Sequence, residues 1–197
     1  MPFRIEEKLY IKKDAVLDFK KLINKKSAKE IYKPRIVESL YFENSNLQMY
    51  KDSVEGVAPR KKIRIRNYPE QKNNEYNLEI KISSVEGRFK SKRKLTTEDL
   101  LNHKKFGILD NQYGICLPKI KINYFREYYQ LDDVRITIDN SISYRKYLNN
   151  YTYDDRETII ELKTKINKNL DELTKDFPIQ RIRFSKYCNG IENLNCT

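Results

Sequence analysis

The feature that most constrains this chain is an alternation of charged with β-branched or aromatic side chains, repeated in segment after segment. It is clearest over residues 60–68, where an extended strand places Arg60, Lys62, Arg64, Arg66 and Tyr68 on one face. Lys61, Ile63 and Ile65 fall on the other. The cations of that first face repel one another. An anion must stand in front of them, or water must screen them.

The same period recurs along the sequence. Residues 4–12 set Arg4, Glu6, Lys8, Tyr10 and Lys12 against Ile5, Leu9 and Ile11. Residues 75–83 set Asn77, Glu79 and Lys81 against Tyr76, Leu78, Ile80 and Ile82, and 86–94 bring Arg88, Lys90, Lys92 and Lys94 into phase. A short turn near Ser83 predicts that these two runs form a hairpin. A long strand over 117–130 ends in Tyr124, Arg126 and Tyr128, and 134–139 set Arg135, Thr137 and Asp139 against Val134, Ile136 and Ile138. Residues 157–164 place Glu161 and Lys163 against Ile160 and Leu162.

Other segments read differently. Asp14 predicts an N-cap for a helix with an apolar stripe of Ala15, Phe19, Leu22 and Ile23. Pro34 predicts a break before a strand over 36–43, and 48–57 read as a polar connection turning at Gly56. Residues 96–99 read as a capping box ahead of Leu100 and Leu101, with Gly107 as the stop. Residues 149–152 read as loop, 167–175 as a short helix, and 180–190 as the closing segment, with no internal repeat or domain boundary.

With 197 residues the chain fits a single domain, 1–197, and 39% hydrophobic residues suffice for a core. Charged residues reach 35% and the net charge is +12. That balance points to a polyanionic partner: nucleic acid, a membrane surface or phosphates. The cysteines (Cys116, Cys188, Cys196) show no CxxC spacing, and no apolar run reaches the length of a membrane span. A reduced, cytoplasmic protein is the expectation. The lone His103 excludes a multi-histidine metal site.

An antiparallel sheet with one dry and one wet face would account for any single strand. The set points elsewhere. Arg64, Arg66, Arg126 and Arg135 sit mid-strand among bulky apolar neighbours, and glutamates recur two residues before lysines at Glu6/Lys8, Glu79/Lys81 and Glu161/Lys163. Mixed charge in those places predicts an α+β fold built on a closed antiparallel barrel, its interior polar and basic, with helices packed outside. Arginines grip phosphate oxygens through paired donors, and a few carboxylates among them suit Mg²⁺ or Mn²⁺. Phosphoryl transfer needs positioning and charge neutralisation above all.

In order along the chain, Arg4-x-Glu6-x-Lys8, Arg64-x-Arg66, Glu79-x-Lys81, the basic strand with Lys90 and Lys92, Tyr124-Phe-Arg126, residues 134–139, Glu161-Leu-Lys163 and Phe184-Ser-Lys186-Tyr before Gly190 resemble the VTC domain. That domain is the polyphosphate polymerase branch of the triphosphate tunnel metalloenzymes. The resemblance implies an eight-stranded antiparallel tunnel that holds ATP and inorganic polyphosphate. It implies phosphate contacts from Arg64, Arg66, Lys81, Arg126, Arg135, Lys163 and Lys186, with Lys8, Lys90, Lys92 and Arg183 aligned less closely. It implies Mn²⁺ or Mg²⁺ on Glu161, assisted by Glu6 and Glu79. Arg4 stands where the superfamily's hydrolases carry a first glutamate, which suits the polymerase branch. Arg183 stands where a lysine is expected.

The resemblance therefore implies transfer of the γ-phosphoryl of ATP to a polyphosphate chain. Hydrolysis of tripolyphosphate or a nucleoside triphosphate is the alternative within the fold. A non-catalytic module binding polyphosphate or nucleic acid is the alternative outside it. No nucleic acid is expected, because the tyrosines fall beside Ile and Leu as packing residues. Tyr68, Tyr124 and Tyr187 are read that way, and Asp139 is read as a turn cap. A simple ion pair with Lys163 or an arginine is the plain alternative for Glu161.

Overall fold

A computed structural model describes residues 4–71, 75–149, 151–165 and 179–196. The described strands are β1 (Arg4–Ile11), β2 (Lys29–Glu43), β3 (Arg60–Asn67), β4 (Asn77–Ser84), β5 (Gly87–Lys94), β6 (Ile108–Asp110), β7 (Gly114–Leu131), β8 (Val134–Lys146), β9 (Thr152–Asp155) and β10 (Thr158–Lys165). Four α-helices accompany them: α1 (Val16–Lys25), α2 (Gln48–Glu55), α3 (Thr97–Phe106) and α4 (Lys186–Asn193). The fold is an α+β fold dominated by antiparallel sheet. Strands are hydrogen-bonded in the order β1-β10-β8-β7-β2-β3-β4-β5, with β6 on β7 and β9 on β8. Among the described residues no pairing joins β1 to β5, so the sheet is open where a closed barrel was expected.

The chain divides into two compact units. The first comprises Met1–Ile36, Tyr124–Ile142 and Asp154–Phe184. Its core is the apolar face of β1, β8 and β10 (Leu9, Ile136, Ile138, Ile160, Leu162), covered by Phe19 and Ile23 of α1. Register follows the alternation: Leu9 lies opposite Ile160, and Leu162 opposite Ile136. A one-residue slip would turn every one of these side chains to the wrong face.

The second unit comprises Val37–Asn123, Ser143–Tyr153 and Ser185–Thr197. Its core gathers Leu40 and Phe42 of β2, Ile63 and Ile65 of β3, Met49 of α2 and Leu100 of α3. The β4–β5 hairpin forms as expected, with Ser84 opposite Gly87. Thr96 and Asp99 complete the expected capping box, and Gly107 follows the last residue of α3.

Several expectations change. Pro34 does not break the chain; it lies in the exposed first half of β2, which runs through it. Residues 48–55 are helical, because Glu43 accepts hydrogen bonds from the Met49 and Tyr50 N–H groups and Asn44 from that of Gln48. Those acceptors satisfy the orphan donors of a first turn from a strand end several residues upstream, so no local cap marks the helix. Gly56 does end it, in the left-handed conformation. Asp14 sits within a 3-10 turn, and Ala15 is the N-cap of α1. Residues 186–193 form α4, and Thr152, the last residue of the expected loop 149–152, already belongs to β9. The helix expected over 167–175 lies outside the described residues. No described helix is long and apolar enough to cross a membrane.

Candidate functional site

Antiparallel pairing in the second unit turns the alternation of β3, β4 and β5 into rows. Lys62 lies opposite Lys81, and Lys81 opposite Lys90. In the next row Arg64 lies opposite Glu79, and Glu79 opposite Lys92. Like charges directly across a sheet destabilise it unless an anion lies between or above them.

Glu79 is the centre of this face. One of its oxygens accepts from Arg64 Nε at 2.8 Å and Nη2 at 2.5 Å, and the other from Lys90 Nζ at 2.5 Å. Arg66 approaches to 3.8 Å while its Nε donates to Ser39. Arg64 and Arg66 are only 5% and 8% exposed, so these guanidiniums do not splay into solvent. Burial alone would raise the Glu79 carboxyl, yet Arg64, Arg66 and Lys90 hold it well below the carboxylate range. Burial, with Arg64 and Arg66 as like-charged neighbours, draws Lys90 below its ordinary value despite Glu79.

Two tyrosines back the cluster. Arg64 Nη1 donates to the Tyr41 hydroxyl at 2.8 Å, and Tyr41 stacks on Tyr187 with ring centroids 5.2 Å apart. The Tyr187 hydroxyl donates to Glu43, so Tyr187 does more than pack. Lys62 donates to Ser185, the N-cap of α4, at 2.9 Å, and Lys186 is that helix's first residue. Lys92 lies on β5, which is exposed along most of its length.

The first unit carries a second polar face. On β1 and β10, Glu6 lies opposite Lys163 and Lys8 opposite Glu161, a chequerboard of charge. Glu161 Oε1 accepts from Lys163 at 2.8 Å and Oε2 from Arg126 at 3.3 Å. Arg126 also grips Asp139 through Nε and Nη2 at 2.5 and 2.6 Å. Asp139 is fully buried, so it is the partner of Arg126 and not a turn cap. The correct signal was present in the sequence: Asp139 is in phase with Arg135 and Thr137 on the polar face. Burial pushes the Glu161 carboxyl up, but Lys163, a hydrogen bond with Glu6, Arg126 and Lys8 together hold it well below the usual range.

Arg135 lies over the rings of Tyr32 and Tyr128, with centroid distances of 5.7 and 5.4 Å. Among the described residues its buried Nε has no hydrogen-bond partner, and neither has the Thr137 hydroxyl on the same face. Lys8 donates to the Phe184 carbonyl at 2.6 Å, whereas Arg183 is exposed.

Among the described residues no three His, Cys, Asp or Glu side chains gather as a ready metal cage. The hydrogen-bonded carboxyl pair Glu6 and Glu161 nonetheless fits Mg²⁺ or Mn²⁺, which use one or two carboxylates and take further oxygens from substrate phosphates and water. Glu79, like Glu161, has both oxygens held by cationic side chains, and more tightly, at 2.5 Å from Arg64 and from Lys90.

The family model of the VTC domain matches residues 3–195. The chain belongs to the VTC domain family. Solved structures similar to this VTC domain include a candidate adenylate cyclase from Bacillus halodurans, with a TM-score of 0.65 and 16% identity over 98% of this chain and 97% of that one. A protein of Pyrococcus horikoshii gives a TM-score of 0.63 at 17% identity, covering 97% of this chain and 99% of that one. A candidate adenylate cyclase from Vibrio parahaemolyticus gives 0.57 at 13% identity, covering 93% and 95%. At these identities the likeness establishes the fold alone. No curated protein matches the sequence. Membership of that family points to a phosphotransferase-type enzyme acting on nucleotide or phosphate substrates.

Proposed function

We propose that this VTC domain is a polyphosphate polymerase, transferring the γ-phosphoryl group of ATP to the end of a growing polyphosphate chain. The observation that carries the reading is the row of Lys62, Lys81 and Lys90 beside the buried Arg64 and Arg66. Such a row gains stability from a linear polyanion, whose charge is spread along its length. Arg64, Arg66, Lys81 and Lys186 bind phosphate oxygens in the second unit, with Lys90 and Lys92 at its margin. Arg126, Arg135 and Lys163 do so in the first, with Lys8 and Arg183 at its margin. Glu79 orients Arg64 and Lys90 while neutralising part of their charge.

Glu161, assisted by Glu6, would hold Mn²⁺ or Mg²⁺; when bound, the ion supplies charge neutralisation to phosphate oxygens. The fixed guanidiniums do the same work for the group in flight. They are already held by Glu79, Tyr41 and Asp139, so little reorganisation is needed as charge shifts toward the leaving ADP. The polymerase reading treats residues 1–197 as one functional domain.

Incubation of the purified protein with Mn²⁺ and ATP should produce long-chain phosphate resolvable on a gel, and Arg66→Ala should abolish it. Release of inorganic phosphate without chain growth would instead assign a hydrolase. Metal-independent RNA binding with no ATP turnover would remove the enzymatic reading.

A further inference from the structure

The face that carries Arg135 contains a second arginine that the sequence motifs do not mark. Arg35, on β2, places its guanidinium carbon 4.8 Å from the centroid of the Tyr128 ring and 5.4 Å from that of Tyr32. Arg135 lies 5.4 and 5.7 Å from the same two centroids. The rings meet edge to face, 5.5 Å apart at 83°. Two guanidiniums thus converge on one aromatic pair. Ring quadrupoles offset part of their mutual repulsion, but only modestly.

Among the described residues the hydrogen-bond accounting of this face is incomplete at Arg135 Nε and at the Thr137 hydroxyl. Arg35 Nε donates to the Tyr128 hydroxyl at 3.2 Å, whereas the buried Nε of Arg135 has no partner among the described residues. A buried charged donor left unsatisfied costs more than a typical hydrogen bond contributes, so this position calls for an acceptor. The acceptor best suited to two guanidinium forks is an anion with several oxygens at one centre. The two rings already have cations over them, which makes them supports for those cations and poor platforms for a base.

We infer that Arg35 and Arg135 together form a phosphoanion subsite framed by Tyr32 and Tyr128, with Arg35 as a substrate-binding residue in its own right. Along β8, Arg135 stands four residues from Asp139, the partner of Arg126. Arg126 also reaches Glu161, which lies opposite Thr137, two residues or roughly 7 Å along β8 from Arg135, so the subsite takes a phosphate neighbouring the one nearest Arg126. The inference rests on the phosphotransferase reading, because the anion is a phosphate of its substrate.

Calorimetric titration of the full chain with tripolyphosphate, and separately with ATP, both without metal, tests it. Arg35→Ala should weaken tripolyphosphate binding by about tenfold, and Arg35→Lys should recover part of the loss. Arg135→Ala should do the same, and the double variant should lose less than the product of the two single losses, because both remove contacts to one group. Arg35→Gln keeps the aliphatic stem and a polar end while removing the charge, and serves should Arg35→Ala fail to fold by circular dichroism. A parallel loss for ATP would place a nucleotide phosphate in the subsite; a loss for tripolyphosphate alone would place a phosphate of the chain. Unchanged affinity in Arg35→Ala, with Arg66→Ala weakened, would overturn the subsite and leave the polymerase reading standing. No binding by the wild-type protein would overturn both.

Discussion

Arg64 and Glu79 face each other across β3 and β4, their side chains joined by two hydrogen bonds to one carboxylate oxygen. Both residues are buried, and Lys90 occupies the other oxygen. Removing the carboxylate leaves the buried Arg64 and Arg66 facing one another, with the more exposed Lys90 beside them. Breaking one side of a buried ion pair costs about 3–5 kcal/mol. Glu79→Gln should therefore lower stability by roughly 3 kcal/mol in denaturant unfolding. Added pyrophosphate should restore part of it by supplying the missing negative charge.

Acid should expose the same arrangement. Glu79 and Glu161 are both held below their ordinary value of 4.5 by surrounding cations. When folded they release their protons more readily than when unfolded, so at low pH the unfolded chain binds more protons. Their contribution is complete above pH 4.5 and is lost as pH falls through their depressed folded values. Glu43 has the opposite sign: burial raises it, despite hydrogen bonds from Tyr187 and the N–H groups of Asn44, Met49 and Tyr50. Thermal unfolding between neutral pH and pH 3 should show a falling midpoint, and Glu79→Gln should flatten that slope.

The strands were legible because charge and bulk alternate strictly in them: the registers Leu9 with Ile160 and Ile65 with Leu78 follow from the period alone. The polar faces were legible for the same reason, and Arg64, Arg66, Glu79 and Lys90 meet as that phase requires. What stayed hidden depends on contacts remote in sequence. The cap of α2 comes from Glu43, which precedes the helix by a loop, and Glu43 is in turn held by Tyr187. Arg35 follows Pro34 in a segment without alternation, so nothing local marks it. Asp139 was misassigned because the Asn-Ser after it resembles a turn, whereas β8 continues to Lys146.

Metal removal should separate binding from chemistry. Glu161 and Glu6 would hold the ion, while the guanidiniums proposed to bind phosphate belong to other residues. Chelation should abolish ATP turnover yet leave tripolyphosphate binding in place, with salt dependence as its signature. Glu161→Gln should need a higher Mn²⁺ concentration for half-maximal turnover. If chelated protein still elongates phosphate chains, the carboxylate pair has another task.

Tyr187 links α4 to the strand end that caps α2. Its hydroxyl donates to Glu43 and its ring stacks on Tyr41, which accepts from Arg64. Tyr187→Phe keeps the ring and removes only the donor to a buried carboxylate. The expected cost is about 1–3 kcal/mol, the range for leaving such a group short of one partner. Hydrogen exchange should quicken at the Met49 and Tyr50 amides, which share that carboxylate. Exchange unchanged there would mean that the three N–H donors hold Glu43 without help.

Gly190 sets how closely α4 approaches the sheet of the second unit. A Cβ there would stand 2.8 Å from Ile120 Cδ1 and 2.8 Å from Tyr144 Cδ1. Both neighbours are fully buried and have no free space to move into. Alanine would raise helix propensity by roughly 0.5–1 kcal/mol, but overpacking costs about 1–3 kcal/mol, so packing wins. Gly190→Ala should thus destabilise the protein and shift Lys186, one helical repeat earlier, with a loss in phosphate affinity. Ile120→Val removes one of the two clashing atoms, so combining it with Gly190→Ala should recover part of the stability although Ile120→Val alone is destabilising. Strict additivity of the two changes in thermal unfolding would show that α4 moves freely and does not fix the position of Lys186.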